Sequence, residues 1–231
     1  MNSTTLNYLT LPLLERHGFC HFFGAKGLDE TGAKALTRAQ ESVRLCQVHG
    51  DGIVPVAEIK TDEKLSGDSL MTNRSGLLLT IFTADCLPVI MIDPDHRAAA
   101  IIHAGWRGSL LKIAAKTVSA MTKKYGTNPA SLFVGMGHRI GPCCFEVGRD
   151  VWEPIEKEEA YEGVVTRKAN DKGYVDLYRL NRIQLIATGI LPEKMAALEV
   201  CTACHPEQFH SYRRDHIRGQ NMVSGVLIQN E

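Results

Sequence analysis

The chain has 231 residues and carries 26 Lys plus Arg against 26 Asp plus Glu, so no net field draws it to nucleic acid or to an anionic membrane. No stretch approaches the roughly 20 apolar residues that span a bilayer, and residues 1–10 lack a basic start followed by a long apolar run. The expectation is therefore one cytoplasmic domain over 1–231. Seven cysteines, at 20, 46, 86, 143, 144, 201 and 204, are an odd number that a reducing cytosol keeps as thiols.

Residues 1–30 show little periodicity. Ala35, Leu36, Ala39 and Val43 recur at helical spacing, which predicts a helix over 31–45 leading into Gln47 and His49. Gly50-Asp51-Gly52 breaks the chain before a strand at 53–56, and residues 61–76 read as polar and turn-rich. Three almost continuously apolar strands follow, at 77–83, 88–92 and 98–103, and unbroken apolarity implies burial on both faces. Cys86 lies between the first two and His103 ends the third. Leu111, Ala114, Val118, Met121 and Tyr125 share one face of a predicted helix over 109–125, with Ser109 as N-cap, Lys123 and Lys124 at its negative end and Gly126 as its stop. Its N-terminus faces the loop carrying His103 and Arg107, which makes an anion site there reasonable. A strand at 132–136 leads to Gly141-Pro142-Cys143-Cys144-Phe145-Glu146. Asp176 reads as the N-cap of a helix through Leu177, Leu180, Ile183 and Ala187, stopped by Gly189. Late strands at 197–200 and 222–228 flank Cys201-Thr202-Ala203-Cys204-His205 and Ser211-Tyr212-Arg213-Arg214-Asp215.

A catalytic zinc takes three protein ligands and leaves a fourth position open. His49, Cys86 and His103 supply that set, and a thiolate with two imidazoles favours zinc over magnesium or calcium. The bland reading makes Cys86 buried filler and the histidines ordinary loop residues. Asp85, beside Cys86, is a proton shuttle, an orienting group or a turn cap. Arg107 and Arg213-Arg214 are candidate anion clamps, against a structural ion pair with a carboxylate such as Asp215. Cys201 and Cys204, with His205 next and His210 close behind, invite a structural zinc or a redox pair. No second Cys-x-x-Cys completes a ribbon, so an unbound dithiol is expected, and the vicinal Cys143 and Cys144 are poorer chelators still. A rival chemistry makes Cys86 a nucleophile and His103 its base. A multicopper oxidase is disfavoured, because the nine histidines contain no His-x-His pair.

Five ordered blocks carry a family resemblance: Gln47-Val48-His49-Gly50, Thr83-Ala84-Asp85-Cys86-Leu87-Pro88-Val89, His103-Ala104-Gly105-Trp106-Arg107-Gly108, Ile140-Gly141-Pro142-Cys143 with Phe145-Glu146-Val147, and Cys201-Thr202 with Cys204 and Ser211-Tyr212-Arg213-Arg214. Over residues 45–228 the chain resembles the YfiH family, also called peptidoglycan-editing or polyphenol-oxidase laccase-domain proteins. The resemblance implies an α/β (α+β) fold of mixed sheets packed as a sandwich with flanking helices, similar to a bacterial toxin deamidase domain. It implies a purine nucleoside phosphorylase acting on adenosine, inosine and methylthioadenosine with phosphate, with adenosine deaminase activity beside it. It further implies Zn²⁺ on His49, Cys86 and His103, and Cys86, His103 and Asp85 are taken with it as the catalytic set and Arg107 and Gln47 as substrate contacts. A non-catalytic alternative is a quality-control protein that binds peptidoglycan precursors. Two features depart from the family pattern: His21-Phe22-Phe23-Gly24-Ala25-Lys26 replaces the usual N-terminal stretch, and His138 stands where a small or apolar residue is usual.

Overall fold

The computed structural model describes residues 7–15, 17–57, 65–167 and 170–230. Two mixed sheets lie face to face. One has the order β1 (Tyr8–Leu9), β2 (Phe19–Gly24), β14 (Met222–Ile228), β6 (Leu77–Thr83), β3 (Glu41–Arg44). The other runs β13 (Met195–Ala197), β9 (Phe133–Met136), β7 (Leu87–Asp93), β8 (Ala98–Ala104), β5 (Ser69–Thr72), β4 (Ile53–Pro55). A small sheet of β10 (Glu146–Val147), β12 (Gly173–Val175) and β11 (Val165–Arg167) stands beside them. This is the mixed α/β sandwich that the resemblance implies.

The three apolar strands owe their patternless sequences to the layering. Along β7, Ile90 and Ile92 turn into the core between the sheets with Leu79, Ile81, Phe23 and Val226. Val89 and Met91 turn outward against Ile113, Ala114, Val118 and Met121 of α3 (Ile113–Tyr125) and Leu185 of α5 (Leu177–Ala187). On the far side, Leu78, Phe22 and Val223 pack beneath Ala33 and Leu36 of α1 (Glu30–Thr37). Each central strand is therefore apolar on both faces because each has a cover on both faces.

Several expected elements differ. The helix expected over 31–45 stops at Thr37, where Arg38 takes a left-handed conformation, and Val43 belongs to β3 instead. Pairing with β6 overrides a helical spacing of only four apolar positions. The helix expected over 109–125 is two helices, α2 (Trp106–Leu110) and α3, broken at left-handed Lys112. Leu111 consequently faces solvent, and Ser109 is buried inside α2 rather than capping a helix. Asp176 caps α5 as expected, accepting from the Tyr178 and Arg179 amides. The stretch 61–76 contains β5, wholly buried, although residues 58–64 lie outside the described residues. The aperiodic first 30 residues hold β2, and the late strand at 197–200 begins earlier, at Met195. The short α4 (Arg149–Glu156) and α6 (Tyr212–Asp215) complete the helices. His138 proves to be a core ring, stacked on Phe209 at 4.5 Å, and burial lowers its pKa to about 3, so it is neutral.

The sheets close tightly where β9 ends. A Cβ on Gly137 would lie 2.6 Å from Cγ of Pro88 and nearer still to the Phe23 ring. Gly137→Ala should therefore cost about 1–3 kcal/mol, the usual scale of overpacking, seen as a lower denaturant midpoint with unchanged slope.

Candidate metal centre

One of the chain's passages between the two sheets runs through Ala84-Asp85-Cys86, between the end of β6 and the start of β7. Asp85 holds φ at 85°, a conformation that Asp tolerates better than most residues. The crossing leaves Cys86 at the rim where β7 meets β8. Antiparallel pairing sets Pro88 opposite His103, so register alone brings the thiol and the imidazole to the same end of the sheet. His49 reaches them from the loop before β4, also in left-handed conformation (φ 58°). The three ligand atoms all lie within 4.8 Å of one another. The His49 and His103 rings meet edge to face at 4.7 Å. Gly105 leaves room for them: a Cβ there would lie 3.0 Å from Cys86 Sγ and 3.4 Å from the His49 ring.

One residue at this centre escaped the sequence reading. Asp68, fully buried, accepts a hydrogen bond from His103 Nδ1 at 2.7 Å. It also accepts from the amides of His49 at 3.0 Å and Gly50 at 2.7 Å. Burial alone would push this carboxylate up in pKa, but the His103 ring and the two amides more than offset it and hold it low. Asp68 thereby fixes the orientation of the His103 ring, with Nδ1 on the carboxylate and Nε2 left for Cys86 or a metal, and shapes the loop that presents His49. Its sequence signal is weak: an acid two residues before Leu70-Met71, hidden among polar neighbours.

The centre is charged even without a metal. Burial would raise the Cys86 thiol, yet the His103 and His49 rings lower it to about 6. His103 is opposed by its own burial, but Cys86 and Asp68 raise it to about 9. Between those values the pair is a thiolate and an imidazolium.

The other expected site residues divide. Arg107 lines the cleft above the centre, its guanidinium over the Trp106 ring at 4.2 Å, with no carboxylate partner among the described residues. Gln47 also borders the cleft, but its amide pins β6, donating to the Phe82 carbonyl and accepting from the Phe82 amide, both at 2.8 Å. Both carboxylate oxygens of Asp85 are engaged, by the Thr202 hydroxyl at 2.6 Å and the Arg213 amide at 2.7 Å. Arg214 is no anion clamp: its guanidinium is consumed by Asp215 and by the carbonyls of Thr202, Ala203 and Phe209. Arg213 donates to the Glu146 carbonyl at 2.6 Å. The cleft measures about 1060 Å³ and is walled by Trp106, Phe145, Ile140, Leu177 and Tyr212.

Fold and site together define a mixed α/β domain with a thiolate–imidazole cluster opening into a deep cleft. The chain belongs to the multi-copper polyphenol oxidoreductase laccase family, whose model matches residues 29–229. A Bacteroides thetaiotaomicron protein named purine nucleoside phosphorylase is 34% identical over 182 residues, 78% of this chain and 67% of that protein. Mouse purine nucleoside phosphorylase LACC1 is 34% identical over 82% of this chain, which spans about half (47%) of its length. A protein named adenosine deaminase RL5, from an unknown prokaryotic organism, is 32% identical over 69% of the chain and 61% of that protein. The crystal structure of Bacillus licheniformis YfiH superposes with a TM-score of 0.90 at 25% identity, covering 98% of both chains.

In metal-free protein, ultraviolet thiolate absorbance from Cys86 should appear as pH rises through about 6, seen as the difference between wild type and Cys86→Ser. Acid below that value protonates the sulfur, and alkali above about 9 strips the imidazolium. Asp68→Asn should weaken zinc binding by roughly 10–100-fold in competition with a chelator, the scale of losing a partner that orients a ligand.

Proposed function

We propose that the chain is a zinc-dependent purine nucleoside phosphorylase of the cytoplasm, acting on adenosine, inosine and methylthioadenosine, and that the same cleft deaminates adenosine. The carrying observation is the convergence of His49, Cys86 and His103 on the floor of a cleft large enough for a nucleoside and a phosphate. One thiolate and two imidazoles form a soft, three-donor set suited to zinc with a place left open. The rival multicopper chemistry lacks its donors: among the described residues only this trio and a group of four cysteines could hold a metal. When bound, zinc supplies Lewis acidity at the floor of the cleft.

The chain's own residues do the rest. Phosphorolysis forms a bond from a phosphate oxygen to the ribose C1′ while the C1′–N9 bond breaks; positive charge builds on the sugar, and the proton given up by the hydrogen phosphate ends on the departing purine. Arg107, without a carboxylate partner among the described residues and spread on Trp106, holds the phosphate against that charge. Trp106 and Phe145 offer flat apolar surfaces to a purine. Asp68 keeps the proton of His103 on Nδ1, so Nε2 stays available. Asp85 and Gln47 act as positioning residues, since their polar atoms are committed to the backbone and to Thr202. Relatives named purine nucleoside phosphorylase and adenosine deaminase support both activities.

One observation favours a second reading. Asp68, His103 and Cys86 stand in the order of an acid, base and nucleophile, with Asp68 on His103 Nδ1 and a depressed thiol pKa. Such a cysteine hydrolase would be alkylated at Cys86 by iodoacetamide while metal-free and active. Zinc on the same sulfur would block that alkylation.

Chromatography of adenosine with phosphate and zinc-loaded protein should show adenine and ribose-1-phosphate. His49→Ala and Cys86→Ala should each lower turnover by roughly 100-fold or more, the scale on which one transition-state group acts. Arg107→Ala should raise KM for phosphate by about 10-fold or more, as expected for one charge-assisted hydrogen bond. A wild type as inert as its variants, with zinc bound, would refute the reading.

A further inference from the structure

We propose that Cys143, Cys144, Cys201 and Cys204 bind a second, structural zinc ion as a four-thiolate site. The four belong to two loops about 60 positions apart in sequence, Gly141–Glu146 and Cys201–Cys204. Folding brings all four sulfurs within 4.8 Å of one another. Tetrahedral zinc with Zn–S bonds of about 2.3 Å sets its sulfurs about 3.8 Å apart. Here Cys143 and Cys204 are separated by 3.7 Å, and Cys144 and Cys204 by 3.4 Å. Those two separations are close to the edge of a zinc-centred sulfur tetrahedron and well outside the roughly 2.05 Å of a disulfide.

The backbone favours a thiolate at Cys201. The Gly141 amide donates to Cys201 Sγ at 3.1 Å, and the turn closed by the Cys204 amide on the Cys201 carbonyl brings both ends of the Cys-x-x-Cys to one side. Parallel bridging of Arg139 with Cys201 locks the second loop beside the first. The missing second Cys-x-x-Cys is replaced by the vicinal pair, whose first loop turns tightly through amides of Cys144 and Phe145 on the Gly141 carbonyl. His205, adjacent in sequence, stays outside and pairs with Glu207.

The position gives the ion a task. The first loop carries Phe145 to the cleft wall, and its carbonyls at Cys144 and Glu146 receive Arg213. The second carries Thr202, whose hydroxyl holds Asp85 next to Cys86. A zinc joining the loops clamps one wall of the cleft without touching its contents. The inference stands apart from the role of His49, Cys86 and His103.

Native mass spectrometry of the full chain, reduced, loaded with zinc alone and desalted, tests it. Wild type should hold two zinc ions, Cys86→Ser one, and Cys143→Ser with Cys204→Ser one. Cobalt(II) in place of zinc in Cys86→Ser should give the intense sulfur-to-metal charge-transfer absorption of four thiolates. If the double variant fails to fold, Cys86→Ser decides alone. Cys86→Ser without zinc and with every remaining thiol free to alkylation would overturn the proposal. So would an intact mass showing a Cys144–Cys204 disulfide and no zinc. Failure of the first centre reads differently, as a wild type and Cys86→Ser that each hold one ion.

Discussion

A single buried carboxylate organises the centre. Asp68 sits with no exposure at the start of β5 and accepts from one side chain and from successive amides of the loop that carries His49. A buried charge without such donors is strongly unfavourable, so its burial demands the geometry of everything that pays it court in hydrogen bonds: the His103 ring, the His49 loop and, through β5, the edge of the six-stranded sheet. The histidines are thus positioned by a residue that does not itself line the cleft. Replacing it removes an acceptor on which two separate segments depend.

The second constraint is topological. β6 belongs to one sheet and β7 to the other, and only three residues separate them. A crossing that short requires an abrupt backbone, which the positive φ of Asp85 supplies. The same residue then anchors both neighbouring loops, with its side chain on Thr202 and Arg213 and its carbonyl on the Ile140 amide. Cys86 is half-buried at the cleft because the chain is turning there and places it in neither sheet. Reactivity and topology share one cause.

Legibility followed how local the cause was. The apolar strands over 77–103 and the α5 cap were readable because burial and capping leave signatures within a few residues. The trio of His49, Cys86 and His103 could be named from residue chemistry and family resemblance, but spacing alone was weak because the sheet register, not the sequence interval, brings them together. Asp68, β5 and the gathering of four cysteines depend on contacts between distant segments, which no periodicity encodes. The helix expected over 109–125 failed for a local reason that sequence also concealed: a left-handed Lys112, a residue type that gives no warning of a break.

Arginines show how packing sorts like residues into unlike roles. Arg107, Arg213 and Arg214 all line or approach one cleft, yet their guanidinium donors face different company. Arg214 meets carbonyls and Asp215 on every side, and Arg213 meets two carbonyls and the Phe145 ring. Arg214 ties the 201–215 segment to itself, and Arg213 joins that segment to the 141–146 loop. Arg107 rests on the Trp106 face, which steadies the fork, and among the described residues no carbonyl or carboxylate claims its N–H groups. A guanidinium whose donors are unclaimed by the protein is the one equipped to meet an anion entering from solvent. The two claimed ones hold residues 201–215 and 141–146 in place.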